Sequence, residues 1–209
     1  MKIENFRRQI ILARELIAGH LHDGDAAVDG TAGTGMDTLM MAEAVGPTGI
    51  VYSFDLQEAA IAQTAQRLVA AGVRDRVRLY QQGHETIGEI SEIVSHENIK
   101  AAMFNLGYLP GGDPEITTRV ETSMKAIEDT LSLMAVGGLM TVCAYPHEQG
   151  RAEIAALDEF TKRPVKGLDC YKIETCNHVG SPILYLIFKR ASEPQSLGAS
   201  ESRNLTRGV

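Results

Sequence analysis

The stretch Asp25-Ala-Ala-Val-Asp29-Gly30-Thr31-Ala32-Gly33-Thr34-Gly35 decides the fold. A short β-rich run ends in an acid, passes through a glycine-rich turn and leads into a helical pattern over Thr38–Val45, which stops at Gly46-Pro47. That is the strand–turn–helix opening of an open α/β sheet, in which ligands bind at the carboxyl ends of the strands. Glycines at such a turn let a ligand approach the backbone and expose amide groups at a helix start. The bland reading is a tight turn with no ligand.

The same alternation continues outward. A helix over residues 6–21 precedes the turn. After it come a strand at Gly49–Asp55, a helix at Glu58–Ala71 closed by Gly72, a strand at Val77–Tyr80, a helix over Thr86–His96 and a strand at Ile99–Asn105. A helix at Glu121–Met134 ended by Gly137-Gly138, a strand at Leu139–Tyr145 and a helix at Arg151–Arg163 follow. Two last strands, Tyr171–His178 and Ile183–Lys189, flank the turn Gly180-Ser181-Pro182. The expected architecture is therefore a Rossmann-like α/β fold: a mostly parallel seven-stranded sheet, an antiparallel hairpin at one edge and helices on both faces. Residues 1–190 form the domain, and the polar 191–209 tail is expected to be disordered.

Composition sets limits. The 209 residues suit one domain, and 44% apolar with 22% charged residues excludes disorder of the whole chain. No run reaches the roughly 20 apolar residues of a membrane helix, and the start lacks a secretory core, so the cytoplasm is expected. Cys143, Cys170 and Cys176 are odd in number and form no C-x-x-C pair, which points to reduced thiols and no metal site. The net charge of −7 counts against a protein that coats nucleic acid, but allows one local RNA contact. Arg74, Arg76, Arg78, Arg119 and Lys125 are the candidates for such a basic rim, with solvated surface as the alternative.

Asp55, twenty residues after Gly35, stands where an acid accepts a ribose diol. A dinucleotide would need a third glycine where Thr38 stands, and Asp37 adds negative charge where a pyrophosphate would sit. Asp29 and Asp37 instead suit the cationic, phosphate-free S-adenosylmethionine. Gly83-His84-Glu85 would border its adenine, although His84 also reads as a structural histidine.

The loop Asn105-Leu106-Gly107-Tyr108-Leu109-Pro110-Gly111-Gly112-Asp113 is the least ordinary segment. Asn105 can hold a nitrogen by its N–H bonds and Tyr108 can stack on a base. Their spacing matches the Asn-Pro-Pro-Tyr motif of amino methyltransferases, with Leu106-Gly107 in place of the prolines. Alternatively, its glycines only shape a surface loop. Beyond it, Thr117, Thr118 and Thr122 read as substrate contacts or helix caps, and His147 as a substrate contact, a base or a solvated loop histidine.

Taken together, the glycine loop, Phe54-Asp55-Leu56-Gln57, Gly83-His84-Glu85, the 105–113 run and Ile116-Thr117-Thr118 resemble one class I methyltransferase family, long labelled as rRNA methylases. Its characterised members are tRNA 5-aminomethyl-2-thiouridine methyltransferases. The resemblance spans roughly residues 6–190. It implies S-adenosylmethionine as methyl donor and N-methylation of the aminomethyl group on a tRNA wobble uridine, hence an anticodon arm as partner. It implies cofactor contacts from Thr34, Asp37, Asp55, Gln57, Gly83 and His84, with Asp29, Gly33 and Gly35 forming the loop. Asn105 and Tyr108 would frame the acceptor, with Asp113, Thr118, Arg119 and His147 as substrate contacts. Two departures stand out: Thr34 replaces the usual Asn, and the Tyr145–His147 stretch is a residue shorter and lacks a glycine. Methylation of rRNA or of a small amine, and an NAD-dependent oxidoreductase, are the alternatives. A homodimer through apolar surface on the final hairpin is a further expectation.

Overall fold

Two apolar layers sandwich one sheet, and alternation along each strand decides which layer a residue joins. In the computed structural model the described residues are 9–96, 98–107, 117–147, 150–178 and 180–191. They form seven strands: β1 (Ala26–Asp29), β2 (Ile50–Phe54), β3 (Val77–Tyr80), β4 (Ile99–Leu106), β5 (Met134–Ala144), β6 (Leu168–Ile173) and β7 (Ile183–Lys189). Six helices accompany them: α1 (Gln9–His20), α2 (Met36–Ala44), α3 (Glu58–Ala70), α4 (Ser91–Val94), α5 (Val120–Leu133) and α6 (Gly150–Lys162). The sheet order is β3-β2-β1-β4-β5-β7-β6. Strands β1 to β5 pair in parallel, and β7 runs antiparallel to both β5 and β6. The expected architecture, edge hairpin included, is the one observed.

Ala26, Val28, Tyr52, Phe54, Ala102, Phe104, Met140 and Val142 point into one layer, with Ile127 and Leu131 of α5 and Leu157 of α6. Ala27, Val51, Ala101 and Met103 point into the other, with Leu12 and Ile17 of α1, Met41 of α2 and Leu68 of α3. The period of two along strands and of three to four along helices thus builds both layers. The chain reverses between β1 and β4 in the sheet order, and that switch point opens the crevice that holds the site.

Three expected elements differ. Thr86–His96 is not one helix but a 3-10 segment, His84–Glu89, followed by α4. Ile90 between them is extended (φ −86°, ψ 109°), which lets both Ile87 and Ile93 bury. Gly137-Gly138 does not terminate α5. Ile99 faces Met134 and Ala101 faces Leu139, so the glycines lie in a bulge of β5, with Gly137 at φ 82°. The sixth strand is Leu168–Ile173 and not Tyr171–His178, because pairing with β7 begins at Leu168↔Lys189 and ends at Ile173↔Leu184. The polar run after Ile173 has little to bury.

The α5 helix ends because a lysine from the sheet closes it. Lys189 Nζ donates to the carbonyls of Leu131 (2.8 Å), Ser132 (3.1 Å) and Met134 (2.7 Å), a cation on the negative end of the helix. Burial lowers the Lys189 pKa, since the charged form is desolvated. Lys189→Met keeps the stem and strands those carbonyls. We expect a loss of about 1–3 kcal/mol in urea unfolding, and an unchanged midpoint would refute the role.

Candidate active site

The end of β1 builds the floor of the site. Asp29 is fully buried. It accepts the Thr31 amide (3.1 Å) and the Thr38 hydroxyl (2.6 Å), while Thr38 Oγ1 also bonds Ser53 Oγ (2.9 Å). The turn therefore folds around its own carboxylate. Burial first, then the nearby Asp37 charge, raises the Asp29 pKa to about 7. Gly35, which precedes α2, stands at φ 77°, and a Cβ there would lie 2.8 Å from the Thr64 Cα. Only glycine fits that turn.

Asp55 ties the turn to β2. Its carboxylate accepts the Gly33 amide (2.9 Å) and the Gln57 amide (2.9 Å). The Thr34 carbonyl accepts Arg67 Nε from α3 (2.8 Å). After β3, His84 Nδ1 donates to the Gly30 carbonyl (2.9 Å), and its ring meets Phe104 edge-on with centroids 5.8 Å apart. Burial lowers the His84 pKa, so the ring is neutral and Nε2 is left as an acceptor.

At the end of β4, the Asn105 amide donates to Thr31 Oγ1 (2.8 Å), and Asn105 Nδ2 donates to Asp37 Oδ2 (2.8 Å). The other Asp37 oxygen is bonded by Arg14 Nε of α1. Thr118 and Ser123 donate to Glu153, buried on α6, at 3.0 Å and 2.6 Å. Tyr145 lines the same cavity as Asn105, and burial raises its pKa.

Beside these groups lies a cavity of about 560 Å³, a size typical of small-molecule sites. Of the expected residues, Gly33, Thr34, Asp37, Asp55, Gln57, Gly83, His84, Asn105, Thr118 and Arg119 line it. Asp29, Gly35 and His147 do not. Asp29 and Gly35 shape the turn from beneath. His147 Nδ1 accepts the Gly150 amide (3.1 Å) at the start of α6, with its ring beside Gly107. Tyr108 and Asp113 lie outside the described residues, as do 192–209. Among the described residues no group of three or more His, Cys, Asp or Glu could hold a metal, and no helix is long and apolar enough to cross a membrane.

The basic rim divides. Arg74 and Arg76 donate to backbone carbonyls, Arg78 pairs with Glu92, and Lys125 pairs with Asp129 and Glu89. Arg119 is the member that lines the cavity.

The sequence reading missed Arg14 and Ile10 of α1, and the exposed apolar Met36 and Leu56 at the cavity wall. An apolar residue directly after Asp55 and another at the helix start were the available signals. Arg14 gave none, because beside Glu15 on a mostly apolar helix it reads as ordinary solvated charge.

Sheet order, switch-point crevice and glycine turn together define a Rossmann-like class I methyltransferase fold. A family model described as "Putative rRNA methylase" matches residues 51–189, and the chain belongs to that family. An Arabidopsis thaliana protein named tRNA (mnm(5)s(2)U34)-methyltransferase, chloroplastic, is 33% identical over 180 residues, 81% of this chain. The chain spans 65% of that relative's length. A Clostridium thermocellum structure described as a "putative rRNA-methylase" is 35% identical with a TM-score of 0.81, covering 87% of this chain and 97% of that one. A Streptococcus mutans structure described as "a putative methyltransferase" in complex with SAH is 29% identical with a TM-score of 0.77, covering 87% and 98%.

The buried acid makes a pH-dependent prediction. A carboxyl whose pKa rises on folding contributes stability present below its unfolded value of 3.8 and lost as pH rises through about 7. Asp29→Asn can keep the Thr31 bond and donate to Thr38, which then donates to Ser53. Its stability advantage over the wild type should be ~2–3 kcal/mol larger at pH 8 than at pH 5. Parallel unfolding curves at the two pH values check this, and an equal advantage at both would refute it.

Proposed function

We propose that the protein is an S-adenosylmethionine-dependent methyltransferase that N-methylates the aminomethyl group of 5-aminomethyl-2-thiouridine at the tRNA wobble position. The observation that carries this reading is the 33% identity to a tRNA wobble-uridine methyltransferase, joined to a cavity with an amide side chain at the end of β4.

The lining fits the methyl donor. Asp55 at the end of β2 suits a ribose diol, Leu56 and Met36 offer apolar surface to a base, and neutral His84 offers an acceptor. Asp37 in the first turn of α2 sets a carboxylate where a pyrophosphate would need positive charge, which disfavours the dinucleotide alternative. S-adenosylmethionine, when bound, supplies a methyl group made electrophilic by its sulfonium. The residues of this chain align and desolvate the acceptor. The acceptor amine would take that methyl group and give up one N–H proton to solvent. Such a displacement gains chiefly from alignment, and Asn105 Oδ1 is placed to accept an N–H bond from the amine.

Arg119, which lines the cavity, is the proposed phosphate contact for an anticodon arm. The cytoplasm is the proposed compartment, supported by three free cysteines. The proposed homodimer would use the free edge at β6, where Tyr171 is 57% exposed.

Incubation with labelled methyl donor, aminomethyl-bearing tRNA and ribosomal RNA, followed by nucleoside mass spectrometry, tests the reading. Label should enter the wobble nucleoside, whereas label only in ribosomal RNA would overturn the tRNA assignment. Affinity for tRNA should fall with salt, with Arg119→Ala flattening the slope by about one phosphate contact. A binding constant constant across salt would contradict an RNA contact.

A further inference from the structure

We propose that Arg14 and Asp37 are positioning residues that fix the rotation of the Asn105 side-chain amide, so that its oxygen rather than its nitrogen is offered to the methyl acceptor. The inference rests on the reading that the acceptor is an amine at Asn105.

An ionised carboxylate only accepts hydrogen bonds, and a guanidinium only donates them. Arg14 Nε takes Asp37 Oδ1, so the chain of bonds has a direction. Asp37 Oδ2 can then be met only by the donating end of Asn105, and Nδ2 lies 2.8 Å from it. Turning the amide over would place two acceptor oxygens at that distance. The Asn105 backbone is held separately, by its amide bond to Thr31 Oγ1. What remains is Asn105 Oδ1, a buried atom with no hydrogen-bond partner among the described residues. All three residues line the one cavity, and the Asp37 side chain is 7% exposed, so water competes little for these bonds. An unpartnered buried acceptor on a cavity-lining residue calls for a donor, and a neutral primary amine carries two N–H groups.

The polarity of this chain can be inverted at one link and restored at the next. In Asp37→Asn, the new side-chain oxygen still accepts from Arg14, but its NH2 now faces Asn105. The Asn105 amide must turn, and it then presents a donor to the amine. In Asn105→Asp, two carboxylates share one short contact and compete for a proton. In the swap, Asp37→Asn with Asn105→Asp, the NH2 at position 37 donates to the carboxylate at 105. An acceptor oxygen is again left over.

The test uses the full chain, labelled S-adenosylmethionine and aminomethyl-bearing tRNA. It measures kcat, KM for tRNA, calorimetric affinity for the methyl donor, and melting temperature. Each single variant should lower kcat on the order of 100-fold, the scale of losing one preorganised bond at a reacting centre. Donor affinity should stay within about threefold in Asn105→Asp, and in Asp37→Asn the fall in kcat, read at saturating donor, should exceed any fall in donor affinity. The swap should recover at least about tenfold over either single variant. Arg14→Met, which leaves Asp37 unpaired but folded on α2, should lower kcat about tenfold. A wild-type kcat in Asp37→Asn overturns the proposal. So does a swap no better than its parents, or a loss that follows donor affinity or melting temperature alone. If Asp37→Asn does not fold, Arg14→Met at wild-type kcat overturns it equally. Absence of transfer by the wild type would instead overturn the functional reading.

Discussion

The site hangs on a carboxylate that has no access to water. Asp29 ends β1 with its side chain turned inward, and the glycine turn is the path the backbone takes to satisfy it. An unsatisfied buried acid would be costly, so the Thr31 amide and the Thr38 hydroxyl are structural necessities. Thr38 brings the first turn of α2 onto Ser53 of β2. Thr31 reaches the other way and holds the Asn105 amide on β4. One buried group thus sets the spacing of β1, β2 and β4 at the crevice, where the Asp55–His84 end and the Asn105 end of the cavity meet.

That arrangement revises the electrostatics read from the sequence. Three acids around the glycines suggested a negative cradle for a cationic cofactor. Asp29 is instead near its titration midpoint at neutral pH, because burial opposes its charge. Asp37 is paired with Arg14. Asp55 has each oxygen on a backbone amide. The preference against phosphate therefore rests less on summed charge than on Asp37 standing in the first turn of α2.

The order and type of most elements were legible, because strands that alternate with amphipathic helices can be read from periodicity. Three elements were misread where tertiary contacts override local pattern. Gly137-Gly138 looks like a helix stop, but Lys189, far away in sequence, closes α5 and frees the glycines for a bulge. The end of the sixth strand is set by its register with β7 and not by its own residues. Ile87 and Ile93 bury separately by breaking the helix that their spacing suggests. That the glycine turn and Asp55 meet at one cavity was legible because a glycine turn and an acid at the next strand end are a local motif. Arg14 was not, because its meaning comes only from α1 packing across the end of β4.

The two ends of the cavity also differ in what holds them, and this accounts for the Thr34 departure. At the Asp55–His84 end the bonds run mostly to main-chain atoms: Gly33 and Gln57 amides on Asp55, the Gly30 carbonyl under His84, the Thr34 carbonyl under Arg67. A side-chain change at position 34 leaves every one of these intact, so Thr can stand where Asn is usual without moving the turn. At the Asn105 end the bonds run between side chains, from Arg14 to Asp37 to Asn105, and each depends on which atoms donate. Sequence variation in such a site should gather where the backbone does the holding. It should be scarce along the chain of side chains, where even an isosteric Asp–Asn exchange reverses a donor.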